Sequence, residues 1–314
     1  MKKYCFGIDV GGTFVKGAII DSDGKIIVSD KIPTESEKGN IHVCENIKTL
    51  CDRLLEKSCM DKNSITAIGM GVPGMIDSEN GIVIESNNLR WADFPIAKEV
   101  ERLIGLPVKI ANDANAATLG ECKFALNGKY KNIVFLTLGT GVGGGIVING
   151  ELYEGNKGAG AELGHSVIVM NGEPCTCGRR GCIEAYASAT ALIRETKKAM
   201  TAHKDSKLWE IGALDAVNGK TAFDYSKADV YAKEVVDNYI SALACYITNV
   251  ANELRPEAVI LGGGVCAQGD ALINPLREKV RNELFAGEVG PQIEILTAKL
   301  GNDAGCLGAA ALVI

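Results

Sequence analysis

The sequence predicts an α/β protein of two domains, and three observations carry that expectation. Short apolar strands alternate with helical patterns along all 314 residues. A strand, glycine loop, strand arrangement occurs twice, first in "CFGIDVGGTFVKGAIIDSDGKII" and again in "NIVFLTLGTGVGGGIVINGELY". Between them, near Asn112, the pattern restarts, so the expected division is residues 1–111 and 112–300, with a last helix over 301–314 packing back on the first domain. The two glycine-loop hairpins fit either a duplicated fold or two unrelated turns, since a glycine turn between strands is common.

The elements follow in order. A strand from Tyr4 to Asp9, a glycine turn, a strand from Lys16 to Ile20, the turn "DSDG" and a strand from Lys25 to Val28 make the first hairpin unit. Ile41, Cys44, Ile47, Leu50, Cys51, Leu54 and Leu55 recur at helical spacing. The strand "ITAIGMGV", a polar segment reaching Trp91, the helix "PIAKEVERLIG" and the strand "PVKIA" complete the first half. In the second half the repeated hairpin leads to a long helical run from Ala228 to Leu254. The strand "AVILGGGV", a helix from Asn274 to Leu284, the strand "QIEIL" and a helix from Asn302 to Leu312 follow.

Composition narrows the function classes. Hydrophobic residues at 46% and charged residues at 23% are ordinary for a globular chain and argue against disorder. A formal charge of −6 provides no global basic field to attract nucleic acid or acidic lipid. The apolar run at the N-terminus is broken by Gly7 and Asp9, and no apolar stretch reaches the length of a membrane span. Eight of the 11 cysteines are scattered through apolar segments without framework spacing, which suits a reducing, cytoplasmic setting.

Three glycine loops, each directly after a strand, point to phosphate binding. "DVGGT" ends a buried strand with Asp9, then supplies the amides of Gly11 and Gly12, which approach a phosphate closely because no Cβ intervenes. Thr13 offers a hydroxyl to a phosphate oxygen, and Asp9 suits magnesium held through water. "LGTGVGGG" and "LGGGV" repeat the theme, whereas neither the Rossmann nor the P-loop pattern appears in its required context. Hairpin loops of this kind suggest a clamp around ATP. In "ANDANAATLGE", Asp113 follows a strand and opens a helix; it reads either as an N-cap or as a base accepting the proton of an attacking hydroxyl, a task that an ordinary carboxylate performs.

His165, Cys175, Cys177 and Cys182 form His-x9-Cys-x-Cys-x4-Cys, a complete set of zinc ligands with Gly172, Gly178 and Gly181 to turn the chain. Four protein ligands leave no open coordination position, so the expected zinc is structural. Its expected effect is to fix Glu162 and Glu184, which read either as surface carboxylates or as acceptors for pairs of sugar hydroxyls.

Nearly the whole chain resembles the ROK family of repressors and sugar kinases, most closely its bacterial glucokinases. The likeness rests on "DVGGT", "GVPGMID", "NDANAA", "LGTGVGGG", "GAELGH", "CTCGRRGCIEAYAS", "LGGGV" and "AGCLGAA", in family order. The resemblance implies the two-domain actin-like or hexokinase-like (ribonuclease H-like) ATPase fold with ATP and sugar in an interdomain cleft. It implies Asp113 as catalytic base, with Asn112, Glu162, His165 and Glu184 on sugar hydroxyls and Gly74 and Asn88 as further sugar contacts. Gly12, Thr13, Thr140, Gly141, Gly263 and Gly264 match the nucleotide loops, with Asp9 near magnesium; His165 would serve zinc and sugar through different ring nitrogens. Many relatives carry lysine directly after the threonine, where this chain has Phe14, with Lys16 two residues later. ROK repressors place a DNA-binding helix-turn-helix before the glycine loop, and this chain reaches "DVGGT" by residue 9, so the kinase branch is expected. The expected activity is ATP-dependent phosphorylation of the glucose 6-hydroxyl by a homodimer or homotetramer. The rivals are a kinase for N-acetylmannosamine, N-acetylglucosamine, allose, mannose or fructose, and a sugar-sensing regulator.

Overall fold

The computed structural model describes residues 3–287 and 289–314. It divides into two compact units: one runs to Lys131 and adds Gly145–Ala161 and Ala298–Ile314, and the other comprises Asn132–Gly144 and Glu162–Thr297.

In the first unit, β1 (Tyr4–Val10), β2 (Phe14–Asp21), β3 (Ile26–Pro33), β4 (Ile65–Val72) and β8 (Val108–Asn112) form a sheet in the order β3-β2-β1-β4-β8. β1 is antiparallel to β2 and parallel to β4, and β4 is parallel to β8, so β1, β4 and β8 all end at one edge of the sheet. The central strands are buried almost throughout, as parallel strands covered on both faces must be. Helix α1 (Asn40–Ser58) turns Val43, Ile47, Leu50 and Leu54 into a core that includes Phe6, Ile8, Ile68 and Met70. β5 (Met75–Asp77), β6 (Ile82–Ser86) and β7 (Trp91–Phe94) make a separate antiparallel sheet where the sequence suggested only a polar segment. Helix α2 (Ile96–Ile104) then leads into β8, and α3 (Asp113–Gly120) follows without a break.

A second sheet begins with β9 (Ile133–Leu138), which leads into β10 (Val142–Ile148) and β11 (Glu151–Tyr153), the residues from Gly145 to Ala161 being grouped with the first unit. Helices α4 (Glu184–Ala187), α5 (Ala189–Ala202), α6 (Thr221–Tyr225) and α7 (Val230–Leu254) precede β12 (Ala258–Gly262), α8 (Asp270–Glu283) and β13 (Glu294–Thr297). The strand order β11-β10-β9-β12-β13 repeats that of the first sheet, again with β9, β12 and β13 parallel and β10 antiparallel to β11. Of the two readings of the glycine-loop hairpins, the duplicated fold is therefore the one the topology selects.

The chain returns to the first unit with α9 (Ala304–Ala311), whose small residues allow very close packing on β1 and β4. A Cβ on Gly69 of β4 would sit 1.8 Å from the Ala309 carbonyl oxygen, so only glycine permits that approach. The same helix packs on α3, where a Cβ on Gly308 would lie 2.2 Å from the Ala116 oxygen. This packing corrects the expected boundary near Asn112. Helix α3 groups with the first sheet, and the division falls after Lys131.

Candidate functional site

The topology sorts the candidate residues before their chemistry is considered. In open α/β sheets, ligands bind beyond the carboxyl ends of the parallel strands, where loops converge. In the first unit β1 runs into Gly11 and Gly12, β4 into Pro73 and Gly74, and β8 into Asn112 and Asp113, all at that edge.

The first glycine loop is a tight turn closed by the Gly11 N–H donating to the Phe14 carbonyl at 3.0 Å. Thr34, fully buried, staples it: its hydroxyl donates to the Gly11 carbonyl at 2.6 Å and its N–H to the Thr13 carbonyl at 2.9 Å. Gly12 and Thr13 are left exposed at the tip, and the backbone of the exposed Asn88 lies 4.0 Å from where a Cβ on Gly12 would be. Asp9 packs its carboxylate onto Gly305, where a Cβ would come within 2.4 Å of the Asp9 Cγ. Lys16, opposite Asp9 in the strand register, places its Nζ 3.7 Å from the carboxylate. Burial pushes the Asp9 pKa up, Lys16 opposes that, and Asp113 adds to it. The Asp9 carboxylate thus lies within electrostatic reach of both the Lys16 ammonium and the Asp113 carboxylate.

Of the two roles open to Asp113, the N-cap is taken by its neighbour. Asn112 is the N-cap of α3: its side-chain oxygen accepts from the N–H groups of Ala114 and Asn115 at 2.9 and 3.2 Å. Its amide nitrogen donates to the Gly74 carbonyl at 3.0 Å, which ties β8 to the loop after β4. Gly74 has a φ of +117°, and a Cβ there would meet the Glu85 oxygen at 2.2 Å. With the cap supplied by Asn112, Asp113 is the first residue of α3, and its carboxylate accepts from the adjacent Ala114 N–H at 2.9 Å. Its side chain stays open to solvent, yet surrounding protein desolvates it and raises its pKa. An ordinary proton affinity would suffice for a base, and burial moves this carboxylate above it.

Thr140, Gly141, Gly263, Gly264, Glu162, His165 and Glu184 all belong to the second unit. β9 and β12 are parallel neighbours and release their glycine loops side by side: a Cβ on Gly263, whose φ is +88°, would lie 2.5 Å from the Leu138 oxygen. The Ala189 N–H donates to the Gly139 carbonyl at 2.7 Å and the Thr190 hydroxyl to the Thr140 carbonyl at 2.7 Å, so the start of α5 buttresses the loop.

Ligand atoms of His165, Cys175, Cys177 and Cys182 all lie within 4.8 Å of one another. The Cys177 and Cys182 sulfurs are 3.8 Å apart, and the Cys175 sulfur is 3.6 Å from His165 Nδ1. A tetrahedron with metal–sulfur bonds of about 2.3 Å has sulfur–sulfur edges of about 3.8 Å, so these separations suit a four-coordinate ion. Burial and the neighbouring thiols push Cys182 up to about 12, a cost that a bound cation relieves. Because Nδ1 faces the sulfurs, Nε2 remains for another partner.

Glu162 is exposed at the start of the short helical turn that carries His165. Glu184, opening α4, is held through both carboxylate oxygens: Oε2 accepts from the Val142 N–H at 3.0 Å and Oε1 from the Thr176 hydroxyl at 2.9 Å. Neither Thr34 nor Thr176 was legible as a support, because each acts on a residue whose proximity only folding creates.

Similarity to known proteins extends over nearly the whole chain. The ROK family pattern matches residues 5–314. A glucokinase of Halalkalibacterium halodurans is 39% identical, covering 99% of this chain and 95% of that protein. A glucokinase of Thermotoga maritima is also 39% identical, covering 98% and 96%. The crystal structure of a ROK family glucokinase from Streptomyces griseus in complex with glucose and AMPPNP has a TM-score of 0.78 and 33% identity, covering 98% of each chain. Sequence motifs, duplicated topology and full-length similarity converge: this chain belongs to the ROK family.

Proposed function

We propose that this chain transfers the γ-phosphoryl group of ATP to the 6-hydroxyl of glucose. The observation that carries the assignment of the base is Asn112 capping α3, which leaves the Asp113 carboxylate open at the end of β8. Asp113 accepts the proton of the sugar hydroxyl as its oxygen bonds to the γ-phosphorus, the bond to the bridging oxygen breaks, and ADP leaves. A pKa raised from the usual carboxylate range brings this base closer to its operating pH.

Glu162, His165 Nε2, Glu184 and Asn112 orient the sugar hydroxyls, with Gly74 and Asn88 as further contacts. Carboxylates suit this task because each accepts from two hydroxyls at once. The loops at Gly11–Thr13, Thr140–Gly141 and Gly263–Gly264 bind the nucleotide through backbone N–H groups and the threonine hydroxyls. Asp9 would hold magnesium, which supplies positive charge against the phosphates. Zinc on His165, Cys175, Cys177 and Cys182 would keep the thiolates charged and hold the loop that carries Thr176 and precedes Glu184. Full-length similarity to glucokinases and to a glucose and AMPPNP complex supports glucose and ATP as substrates. Among the described residues no helix is long and apolar enough to cross a membrane, and a cytoplasmic homodimer or homotetramer completes the reading.

The test is coupled ADP release across glucose, mannose, fructose, allose, N-acetylglucosamine and N-acetylmannosamine, compared as ratios of kcat/KM. Glucose should lead, and a clear preference for an N-acetylated sugar would overturn the substrate assignment. Asp113→Asn should abolish turnover with sugar binding largely retained; an active Asn variant would remove the base.

A further inference from the structure

We propose that Thr176, between the metal-ligating residues Cys175 and Cys177, is a positioning residue that sets the orientation of the Glu184 carboxylate and thereby the affinity for sugar. The inference rests on the kinase reading above and deepens it. In a Cys-x-Cys pair the intervening residue is free to be of any type as far as metal ligation is concerned. Here its hydroxyl donates to Glu184 Oε1 at 2.9 Å, while the Val142 N–H takes Oε2 at 3.0 Å from the opposite end of the carboxylate. A Cβ on Gly141 would lie 2.3 Å from Oε2, so the group rests directly against the glycine backbone.

Two donors on two different oxygens fix the plane of a carboxylate, which one donor leaves free to rotate. An ionised carboxylate has about four lone-pair sites, so each oxygen keeps one for a sugar hydroxyl after accepting its protein donor. Removing the Thr176 hydroxyl leaves the Val142 amide to hold Oε2 alone, and the acceptor pair no longer arrives preorganised for two hydroxyls. Cys175 Sγ lies 3.6 Å from the same Oε1, a longer and weaker contact than the 2.9 Å bond from the Thr176 hydroxyl.

The decisive comparison is Thr176→Val, which keeps the shape and removes the hydroxyl, against Thr176→Ser, which restores it. For Thr176→Val the glucose KM should rise on the order of tenfold, the effect of one charge-assisted hydrogen bond, with kcat and the ATP KM changed far less. Calorimetric titration of glucose without nucleotide should show the same weakening, and Thr176→Ser should recover most of it. Metal stoichiometry, measured by atomic emission, should match the parent in both variants. A glucose KM within twofold of the parent in Thr176→Val overturns the proposal. So does equal impairment of both variants, or a loss of metal that tracks the loss of affinity, since each assigns the effect to packing or ligation. If the parent protein released no ADP with any hexose, the kinase reading would fail separately, and calorimetry would still report on Thr176.

Discussion

Gly141→Ala separates the reach of the glycine loop from its backbone conformation. Gly141 does not occupy the left-handed region, so alanine fits its backbone. The obstacle is a single neighbour: the new Cβ would stand 2.3 Å from Glu184 Oε2 and 3.2 Å from its Cδ. An ordinary carbon–oxygen contact is closer to 3.4 Å, so the carboxylate must retreat by roughly 1 Å. It is the flexible end of a side chain and yields at little cost to the fold. The retreat stretches its bond to the Val142 N–H from 3.0 Å beyond hydrogen-bonding range. A hydrogen bond to a charged group contributes about 1.5–3 kcal/mol. Glu184 is half-buried and water replaces part of the loss, so the lower end applies and corresponds to about a tenfold rise in glucose KM. The assay is coupled ADP release with glucose titrated at saturating ATP, repeated with ATP titrated at saturating glucose. The glucose KM should rise more than the ATP KM, with the melting temperature within a few degrees of the parent. A variant in which only the ATP KM changes, or neither does, would refute the argument.

Three further outcomes follow from the geometry. Asp113 has a folded-state pKa raised above its unfolded value, so its ionised form opposes folding above the unfolded pKa, and that penalty is relieved as pH falls through the folded pKa. Asp113→Asn should therefore melt higher than the parent at pH 8 and converge with it in acid; equal melting curves at both pH values would contradict the desolvated placement. Cys177→Ala should lose the metal by atomic emission and raise the glucose KM sharply, because the loop bearing Thr176 is no longer held; unchanged sugar affinity in metal-free protein would remove the bracing role. Gly69→Ala forces a Cβ to within 1.8 Å of the Ala309 oxygen on α9, backbone against backbone. Overpacking of this kind should destabilise the first unit by about 3 kcal/mol in urea unfolding, and a loss under 1 kcal/mol would show that α9 is free to shift.

Much of the site was legible because its signals are local. The four candidate metal ligands lie between residues 165 and 182, and a cluster so compact in sequence has little freedom to be elsewhere in space. The strand and glycine-loop pairs were readable for the same reason, since apolar runs and loop length are properties of adjacent residues. The segment from Pro73 to Trp91 escaped notice because its strands are short, and β5, β6 and β7 pair with one another in a small sheet of their own. The roles of Asn112 and Asp113 could not be ordered from residue type, because both cap helices well and the choice depends on which one has the extended backbone before α3.

By itself the sequence determined the alternation of strands and helices, the cluster of candidate metal ligands, the glycine loops and the candidate base. Tertiary structure decided that the two hairpins head sheets of the same strand order and that α3 and α9 group with the first sheet. It also decided that Glu184 is gripped between Thr176 and Val142. The physical reason is that residue spacing specifies what one segment can form, whereas a hydrogen bond between residues 142 and 184, or a 1.8 Å constraint between residues 69 and 309, exists only once distant segments pack.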